Sequence, residues 1–542
     1  NIKYNCQMNT NKQMRNLVYF LSLFLLSISA IAQKKAPENW QNLDPTTDKI
    51  WGVSTEKAYK ELLQGKGSRP VVVAVIDGGT DFKHEDLILN IWRNQNEVED
   101  SKFDEDRNGY TDDIYGWNFI GGPEQNIEFD TYEFTRTYKK YKAIFEDEGS
   151  ANDKKTPELK KLYDDAELQY LNKSKNMNGS KKGFDTLMAT MEIIRKKAGS
   201  LDPSIESLKP IKANGRLEKI SLMLLKQVAK TGGRNNSPIQ KQLDDATSYF
   251  KNMVEYHLNL DFEPRPTVGD DYENVKESRY GNNRISGPKA DHGTHVSGII
   301  AANRKNELGI KGICENAKIM TLRAVPDGDE RDKDIANSIR YAVDNGAKVI
   351  NMSFGKSISP DKKAVDDAVK YALSKDVLLI HAAGNDSKNL ETEKNFPSAK
   401  FEGLDYTAPN WIEVGASSWE TGKKLTASFS NYGKNTVDLF APGVDIKSTM
   451  PDNKYEAMSG TSMAAPVVAG VAALVRSYYP MLTAVQVKKI LEKSAVPYTK
   501  KVRIPGSKKK TKLNELCKTG AIVNAYEALK LADLVANGKV SL

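Results

Sequence analysis

The run "VVVAVID" occupies residues 71–77 and consists of six apolar residues followed by an aspartate. A continuous apolar run of this kind predicts a strand that is buried on both faces. Three later runs have the same character: "AKIMTLRAV" (317–325), "AKVINMSFG" (347–355) and "VLLIHAAGN" (377–385). Such strands are typical of parallel sheets whose two faces are both covered by helices.

Helix-like segments separate these runs, for example "DIANSIRYAVDNG" (334–346) and "AVDDAVKYALSKD" (364–376). The alternation of strands and helices predicts an α/β fold of three layers, with a central, mostly parallel sheet. In such sheets ligands bind beyond the carboxyl ends of the strands. Asp77, Ser353 and Asn385 stand at such ends, so polar groups are expected at the edge where chemistry takes place.

A different kind of sequence interrupts this pattern between residues 121 and 283. Segments such as "TPELKKLYDDAELQYL" and "QLDDATSYFKNMVEYHLNL" are charged and amphipathic with a helical period, and strand-like runs are absent. We therefore predict a helical insertion over 121–283 within a discontinuous domain formed by 51–120 and 284–535, followed by a tail at 536–542. That the insertion restricts access to the site or aids folding is a hypothesis.

The beginning of the chain is typical of an exported protein. Basic residues precede "LVYFLSLFLLSISAIA" (17–32), an apolar run that ends in a small-x-small cleavage pattern. We predict a signal peptide over 8–32, cleavage between Ala32 and Gln33, and a short N-terminal segment over 33–50. The protein is then expected to be secreted or periplasmic, with no stable membrane anchor after cleavage.

Composition and charge exclude some classes of partner. The net charge of +8 is modest for 542 residues and arises in part from local lysine clusters such as "GSKKKTKL" (506–513), so no nucleic-acid partner is predicted.

After loss of the signal peptide, Cys314 and Cys517 are the cysteines that remain. Buried free thiols are favoured over a disulfide framework.

Three polar residues could carry chemistry, and each also has an ordinary structural explanation. Asp77 precedes two glycines and is either a turn residue or a carboxylate that orients a histidine. Asn385 follows a tight Ala-Ala-Gly end and is either a turn former or an amide donor for an oxyanion. Ser462 in "GTSMAAP" (460–466) is a helix cap, a nucleophile, or both.

Two histidines lie three positions apart in "DHGTHVSGIIAA" (291–302). His292 and His295 could bind zinc from one face of a helix. The glutamate of the H-E-x-x-H pattern is missing, however, and no third ligand is obvious. A zinc hydrolase is therefore one open alternative.

Taken together and in order, the stretches "VAVIDGG", "DHGTHVSGI", "VINMSFG", "HAAGN" and "GTSMAAPVVAG" closely resemble the subtilisin-like serine proteases, that is, the subtilases or peptidase S8 family. The resemblance extends from about Trp51 to Ile120 and from Asp291 to about Ala532, and it leaves out the insertion. It implies a subtilisin-like fold and a serine endopeptidase that hydrolyses protein or peptide substrates through an acyl-enzyme. It also leaves no room, after the predicted cleavage site, for the usual folded inhibitory propeptide.

The resemblance also implies roles for individual residues. Asp77 matches the acid of the catalytic triad, His292 the general base and Ser462 the nucleophile. Asn385 matches the side-chain donor to the oxyanion, with the backbone N–H of Ser462 as the second donor, and His295 is structural. The residues expected to bind the substrate are Ser353, Phe354, Gly355 and Gly384.

The segment "FDEDRNGYTDDIYGWNF" (103–119) predicts a calcium site. Alternating oxygen ligands followed by a glycine allow the chain to curl around a hard cation. Tyr115 stands where an EF-hand carries a glutamate, so we predict an EF-like loop, with a solvated acidic turn as the alternative. The predicted ligands are Asp104, Asp106, Asn108, Tyr110, Asp112 and Asp113.

A second class of function competes with the protease. The chain could be a catalytically silent subtilase fold that serves as a binding or scaffold protein. Every position that matches the catalytic machinery is present in this sequence, and that favours the enzyme.

Overall fold

A computed structural model describes residues 35–146 and 155–542. The predicted signal peptide over 8–32 lies outside the described residues. The chain forms two compact units. One contains Phe134–Phe262, and the other consists of Ala36–Glu133 together with Glu263–Leu542.

The larger unit is built on one nine-stranded sheet with the strand order β10-β13-β7-β6-β5-β4-β1-β3-β2. All of its neighbouring strands run parallel except β10 and β13, which are antiparallel. Two small antiparallel sheets, β8-β9 and β11-β12, accompany it. The strands are β1 Val71–Asp77, β2 Gly116–Asn118, β3 Ala317–Arg323, β4 Val349–Met352, β5 Leu378–Ala382, β6 Trp411–Ser417, β7 Leu439–Pro442, β8 Ile446–Met450, β9 Lys454–Met458, β10 Val496–Pro497, β11 Val502–Arg503, β12 Lys510–Thr511 and β13 Ala521–Ile522.

Helices cover both faces of this sheet, as the apolar strands require. The α-helices are α1 Thr55–Glu61, α2 Glu133–Glu146, α3 Pro157–Ala198, α4 Ile205–Leu208, α5 Gly215–Lys230, α6 Gly233–Asn236, α7 Pro238–Asn252, α8 Asp291–Ala301, α9 Asp332–Asp344, α10 Lys362–Ser374, α11 Thr461–Tyr478, α12 Ala484–Ser494 and α13 Ala525–Ala536. On strand β1, Val73 and Val75 pack in the core that holds α8 and α11. The alternate residues Ala74 and Ile76 pack in the core that holds α9 and α10. Successive side chains of a strand point to opposite faces, so the predicted three-layer α/β fold is confirmed.

The smaller unit is helical over its described residues. Its 42-residue helix α3 begins after Thr156, whose hydroxyl accepts a hydrogen bond from the N–H of Leu159, and ends at Ala198, just before Gly199. Inside the unit, the rings of Phe184 and Phe250 lie 5.1 Å apart. The flanking stretches 121–133 and 263–283, which the sequence analysis places in the insertion, are grouped with the larger unit.

Two further features concern the whole of the described chain. None of its helices combines the length and the apolar character that are needed to cross a membrane. Cys314 and Cys517 are both buried and free, and burial raises the pKa of each thiol. Both cysteines therefore belong to the packed interior rather than to a disulfide framework.

Candidate active site

Asp77 and His292 form a hydrogen-bonded pair at the carboxyl edge of the sheet. Asp77 is the last residue of β1, and His292 is the second residue of α8. The imidazole Nδ1 lies 2.9 Å from each carboxylate oxygen of Asp77. The N–H of Gly78 donates to the same carboxylate at 2.7 Å. This geometry fixes one ring nitrogen and leaves Nε2 on the opposite side of the ring.

Two opposing effects act on the pKa of His292. Burial lowers it, but the charge of Asp77 and the hydrogen bond to it raise it more, so the pKa lies above its ordinary value. Asp77 has only 4% of its side chain exposed, whereas His292 keeps 40%. A buried carboxylate therefore holds a ring that solvent and ligands can still reach.

Ser462 lies at the N-terminus of α11, as its second residue. The N-cap is Gly460, and no side chain caps this helix. The expectation that Ser462 is itself the helix cap is therefore wrong. Its hydroxyl instead donates to the carbonyl of Ser353 at 3.1 Å, so it faces the carboxyl end of β4 rather than its own helix.

The amide nitrogen of Asn385 and the backbone nitrogen of Ser462 lie beside the same space. The Asn385 Oδ1 atom accepts from the N–H and from the hydroxyl of Thr461, at 2.9 and 3.0 Å. Because the oxygen is held in this way, the amide nitrogen Nδ2 points elsewhere. A Cβ atom built on Gly460 would lie 3.5 Å from Asn385 Nδ2 and 3.5 Å from the backbone N of Ser462, so both donors border one small region beside the serine.

Thr461 is a residue of this site that the sequence analysis missed. Its hydroxyl accepts from the N–H of Gly384 at 3.0 Å while it donates to Asn385. It therefore links the end of β5 to the start of α11. The one available signal was its position next to Ser462, where a threonine also suits an ordinary helix start.

The segment that follows β4 offers an open backbone edge. Lys356 exchanges both backbone hydrogen bonds with Phe396, at 2.9 and 2.8 Å. Backbone groups alternate in direction along an extended chain, so the N–H and C=O of the preceding Gly355 face the other side. Gly355 is exposed and Phe354 half-buried, and an extended peptide can pair with this edge.

Ser353 and Gly384 have supporting positions at the same edge. The Ser353 hydroxyl accepts from Asn351 Nδ2 and donates to the carbonyl of Ser462, both at 2.9 Å. Gly384 has a φ of 100°, which favours glycine. A Cβ atom there would lie 2.5 Å from Asn431 Nδ2, so a larger residue would disturb the turn that leads to Asn385.

His295 lies apart from these groups. It is fully buried, its Nε2 lies 3.2 Å from the carbonyl of Glu456, and burial lowers its pKa to about 4. Across the described residues, one cluster of three or more metal-ligating side chains occurs, and it contains neither His292 nor His295. This arrangement argues against the zinc alternative.

That cluster joins two residues of the predicted calcium loop, Asp106 and Asp113, with Glu97, and each presents a carboxylate oxygen within 4.8 Å of the others. Two oxygens that both bind Ca²⁺ at about 2.4 Å are at most about 4.8 Å apart, so the donor set fits calcium. Burial raises the pKa of Glu97, and that of Asp113 to about 6. A cation would relieve the cost of holding three carboxylates together.

The other predicted ligands have different surroundings. Asp104 accepts from the N–H groups of Asn108 and Gly109, at 3.1 and 2.8 Å, and Asp112 accepts from two N–H groups of its own loop. The Asn108 amide donates to both Asp106 and Asp113. The Tyr110 side chain is buried, and its hydroxyl donates to a backbone carbonyl. Glu97 was missed because it precedes the recognisable spacing by seven residues.

An aspartate–imidazole pair, a serine in the first turn of a helix and two N–H donors beside one space are groups that a serine-hydrolase site uses. The sequence model of the subtilase family matches residues 68–520. The chain belongs to the subtilase family.

Known relatives agree with this assignment. The chain is 46% identical over 188 residues to a thermophilic serine proteinase of Bacillus sp. (strain AK1), which covers 34% of this chain and 43% of that protein. It is 37% identical over 207 residues to subtilisin NAT of Bacillus subtilis subsp. natto (38% and 51%). It is 36% identical over 208 residues to subtilisin BL of Lederbergia lenta (38% and 70%). The chain thus spans about half of the length of the first two relatives.

Proposed function

We propose that the protein is an exported serine endopeptidase that uses Asp77, His292 and Ser462. The observation that carries the proposal is the Asp77–His292 pair, with both contacts at 2.9 Å, at the sheet edge where Ser462 lies in the first turn of a buried helix. Protein or peptide chains are the substrates that suit the open backbone edge at Gly355. Export rests on the predicted signal peptide.

The first step is attack by Ser462 on the carbonyl carbon of the scissile bond. A serine hydroxyl is a weak nucleophile until a base accepts its proton. For this step Ser462 Oγ has to leave the Ser353 carbonyl and reach His292 Nε2, which takes the proton as the C–O bond forms. Asp77 holds the ring by Nδ1 and stabilises the imidazolium that results.

The negative charge that develops on the carbonyl oxygen needs donors that are already in place. Asn385 Nδ2 and the N–H of Ser462 supply them from the space beside Gly460. The positive end of the α11 dipole lies at the same point. Because Thr461 holds the Asn385 oxygen, the amide does not have to reorient during the reaction.

Collapse of the tetrahedral intermediate breaks the C–N bond, and His292 returns its proton to the leaving amine. Water then attacks the acyl-enzyme with His292 again as base, and Ser462 regains its proton. The reaction thus consumes one water and leaves the triad unchanged. In each step His292 Nε2 must accept or donate a proton on the exposed side of the ring.

We also propose that Ca²⁺ is bound by Glu97, Asp106 and Asp113 as a structural cofactor. The ion would supply positive charge that holds these carboxylates together. It takes no part in the hydrolysis, since the described contacts of this cluster are with its own loop, Asn94 and Tyr341.

The test is labelling with a fluorophosphonate probe and hydrolysis of an unfolded protein such as casein. Wild type is expected to label at Ser462 and to cleave, and Ser462→Ala to do neither while keeping its melting temperature within a few degrees. Ser459→Ala, which changes an exposed serine three positions away, is the matched control and is expected to label normally.

The outcomes separate the alternatives. A folded wild type that neither labels nor cleaves would favour the silent scaffold. Activity that survives Ser462→Ala and disappears with a chelator would favour a zinc hydrolase.

A further inference from the structure

Two loops flank the strand that carries Asp77. In the sheet order, β1 lies between β4 and β3. The loop after β3 begins beside Asp77, whose carbonyl accepts from the N–H groups of Ala324 and Val325 at 3.0 and 3.2 Å. The loop after β4 begins at Ser353, whose carbonyl accepts from Ser462. These two loops therefore border the proposed site on its two sides.

One buried side chain joins the two loops. Lys356 follows Gly355 directly, and only 1% of its side chain is exposed. Its ammonium donates to the carbonyl of Glu330 at 2.8 Å and contacts Asp332 Oδ1 at 2.8 Å, both on the loop after β3 and the start of α9. A third contact, at 2.7 Å, goes to Glu133. An ammonium has three donors, and these three acceptors match them.

The acceptors are themselves fixed. Asp332 also accepts from the Ser359 hydroxyl and the Asp361 N–H, both at 2.9 Å, further along the loop after β4. The N–H of Glu133 donates to Asp329 at 2.8 Å. The link between the loops is thus a small network in which Lys356 is the central cation.

We propose that Lys356 is a positioning residue for extended peptide substrates. Its ammonium sets the separation of the loops after β3 and β4, and with it the place of the open edge at Gly355 relative to Ser462. A substrate that pairs with this edge depends on that separation, whereas a short ester that touches only the serine and the oxyanion donors does not. The inference rests on the proposed peptidase activity.

Lys333 provides a matched control. It is also fully buried, and it also contacts three acceptors, namely Asp270, the carbonyl of Asp271 and Glu277, at 2.6–2.8 Å. It therefore shares the chemistry and the burial of Lys356. Its contacts tie α9 to residues 270–277 and not to the loop after β4, so its loss should affect stability without a specific effect on long substrates.

The experiment compares wild type with Lys356→Met and Lys333→Met on a six-residue peptide amide and on an acetyl-amino-acid nitrophenyl ester. For Lys356→Met we expect kcat/KM for the peptide to fall about tenfold or more, mainly through KM, since misplacement of about 1 Å can cost still more. The ester reaction and the rate of fluorophosphonate labelling are expected to stay within twofold. For Lys333→Met the ratio of peptide to ester kcat/KM is expected to equal that of wild type.

Glu133→Gln keeps the shape of one acceptor and removes its charge, so it serves if Lys356→Met fails to fold. It is expected to lower the peptide-to-ester ratio in the same direction. An unchanged ratio in the folded Lys356 or Glu133 variant, or an equal loss in Lys333→Met, would overturn the proposal. Failure of the peptidase function itself would instead appear in wild type, as absence of both labelling and ester hydrolysis.

Discussion

The substitution Asn385→Ala tests the oxyanion site most directly. It removes Nδ2, one of two donors that border the space beside Gly460, and leaves the N–H of Ser462 as the other. The loss of one such donor costs about 2.7–4 kcal/mol of transition-state stabilisation, a figure that comes from subtilisin itself. At about 1.36 kcal/mol for each factor of ten, kcat should fall by about 10²–10³.

The same geometry predicts what should not change. The donor acts on the charge of the transition state, so KM should stay within about twofold to threefold. Asn385 is exposed and its oxygen accepts two hydrogen bonds from Thr461, so the free energy of unfolding should fall by only about 1–2 kcal/mol.

Steady-state kinetics with a peptide amide, together with thermal unfolding, would measure both effects. The control is Asn435→Ala, which removes an exposed amide that donates to Glu391 at 3.0 Å and is not one of the proposed oxyanion donors, so kcat should be unaltered. A kcat for Asn385→Ala within threefold of wild type, or an equal fall in the control, would refute this assignment of the oxyanion donors.

Two further predictions concern titratable groups. Asp77→Asn should lower the pKa of His292, because the charge of Asp77 raises it. Since neutral imidazole is the base, the acidic limb of the plot of kcat/KM against pH should move to lower pH, while kcat falls by about 10⁴. An acidic limb that does not move would contradict the pairing of Asp77 with His292. Burial raises the pKa of Asp113 to about 6, so without calcium the ionisation of this carboxyl group lowers the stability of the fold as the pH rises from 3.8 to about 6. Ca²⁺ should reverse that loss because it binds the ionised carboxylate. A chelator should therefore lower the melting temperature more at pH 8 than at pH 5, and Asp113→Asn should remove most of that difference; a chelator effect independent of pH would count against the site.

Several local patterns in the sequence were sufficient for the fold and for a proposal about the reactive groups. The apolar runs at β1, β3, β4 and β5 predicted a parallel sheet, because a strand that is buried on both faces consists of nearly continuous apolar residues. Asp77 and His292 each lie in a short motif that resembles a family motif, so a role could be proposed for each even though 215 positions separate them. The amphipathic pattern that predicted a helical insertion over 121–283 was equally local.

The tertiary structure alone decided how these groups meet. It showed that Ser462 does not cap α11 but donates to Ser353, that Thr461 holds the Asn385 amide oxygen, and that Glu97 joins Asp106 and Asp113. Lys356 looked like an ordinary charged residue until its ammonium was found buried between two loops. A sequence records which groups a chain carries, whereas distances and directions between groups far apart along it arise only when strands and helices pack. For that reason Asp77, His292 and Ser462 could be proposed as a triad from the sequence, while the positions of the candidate donors and the link between the flanking loops could not.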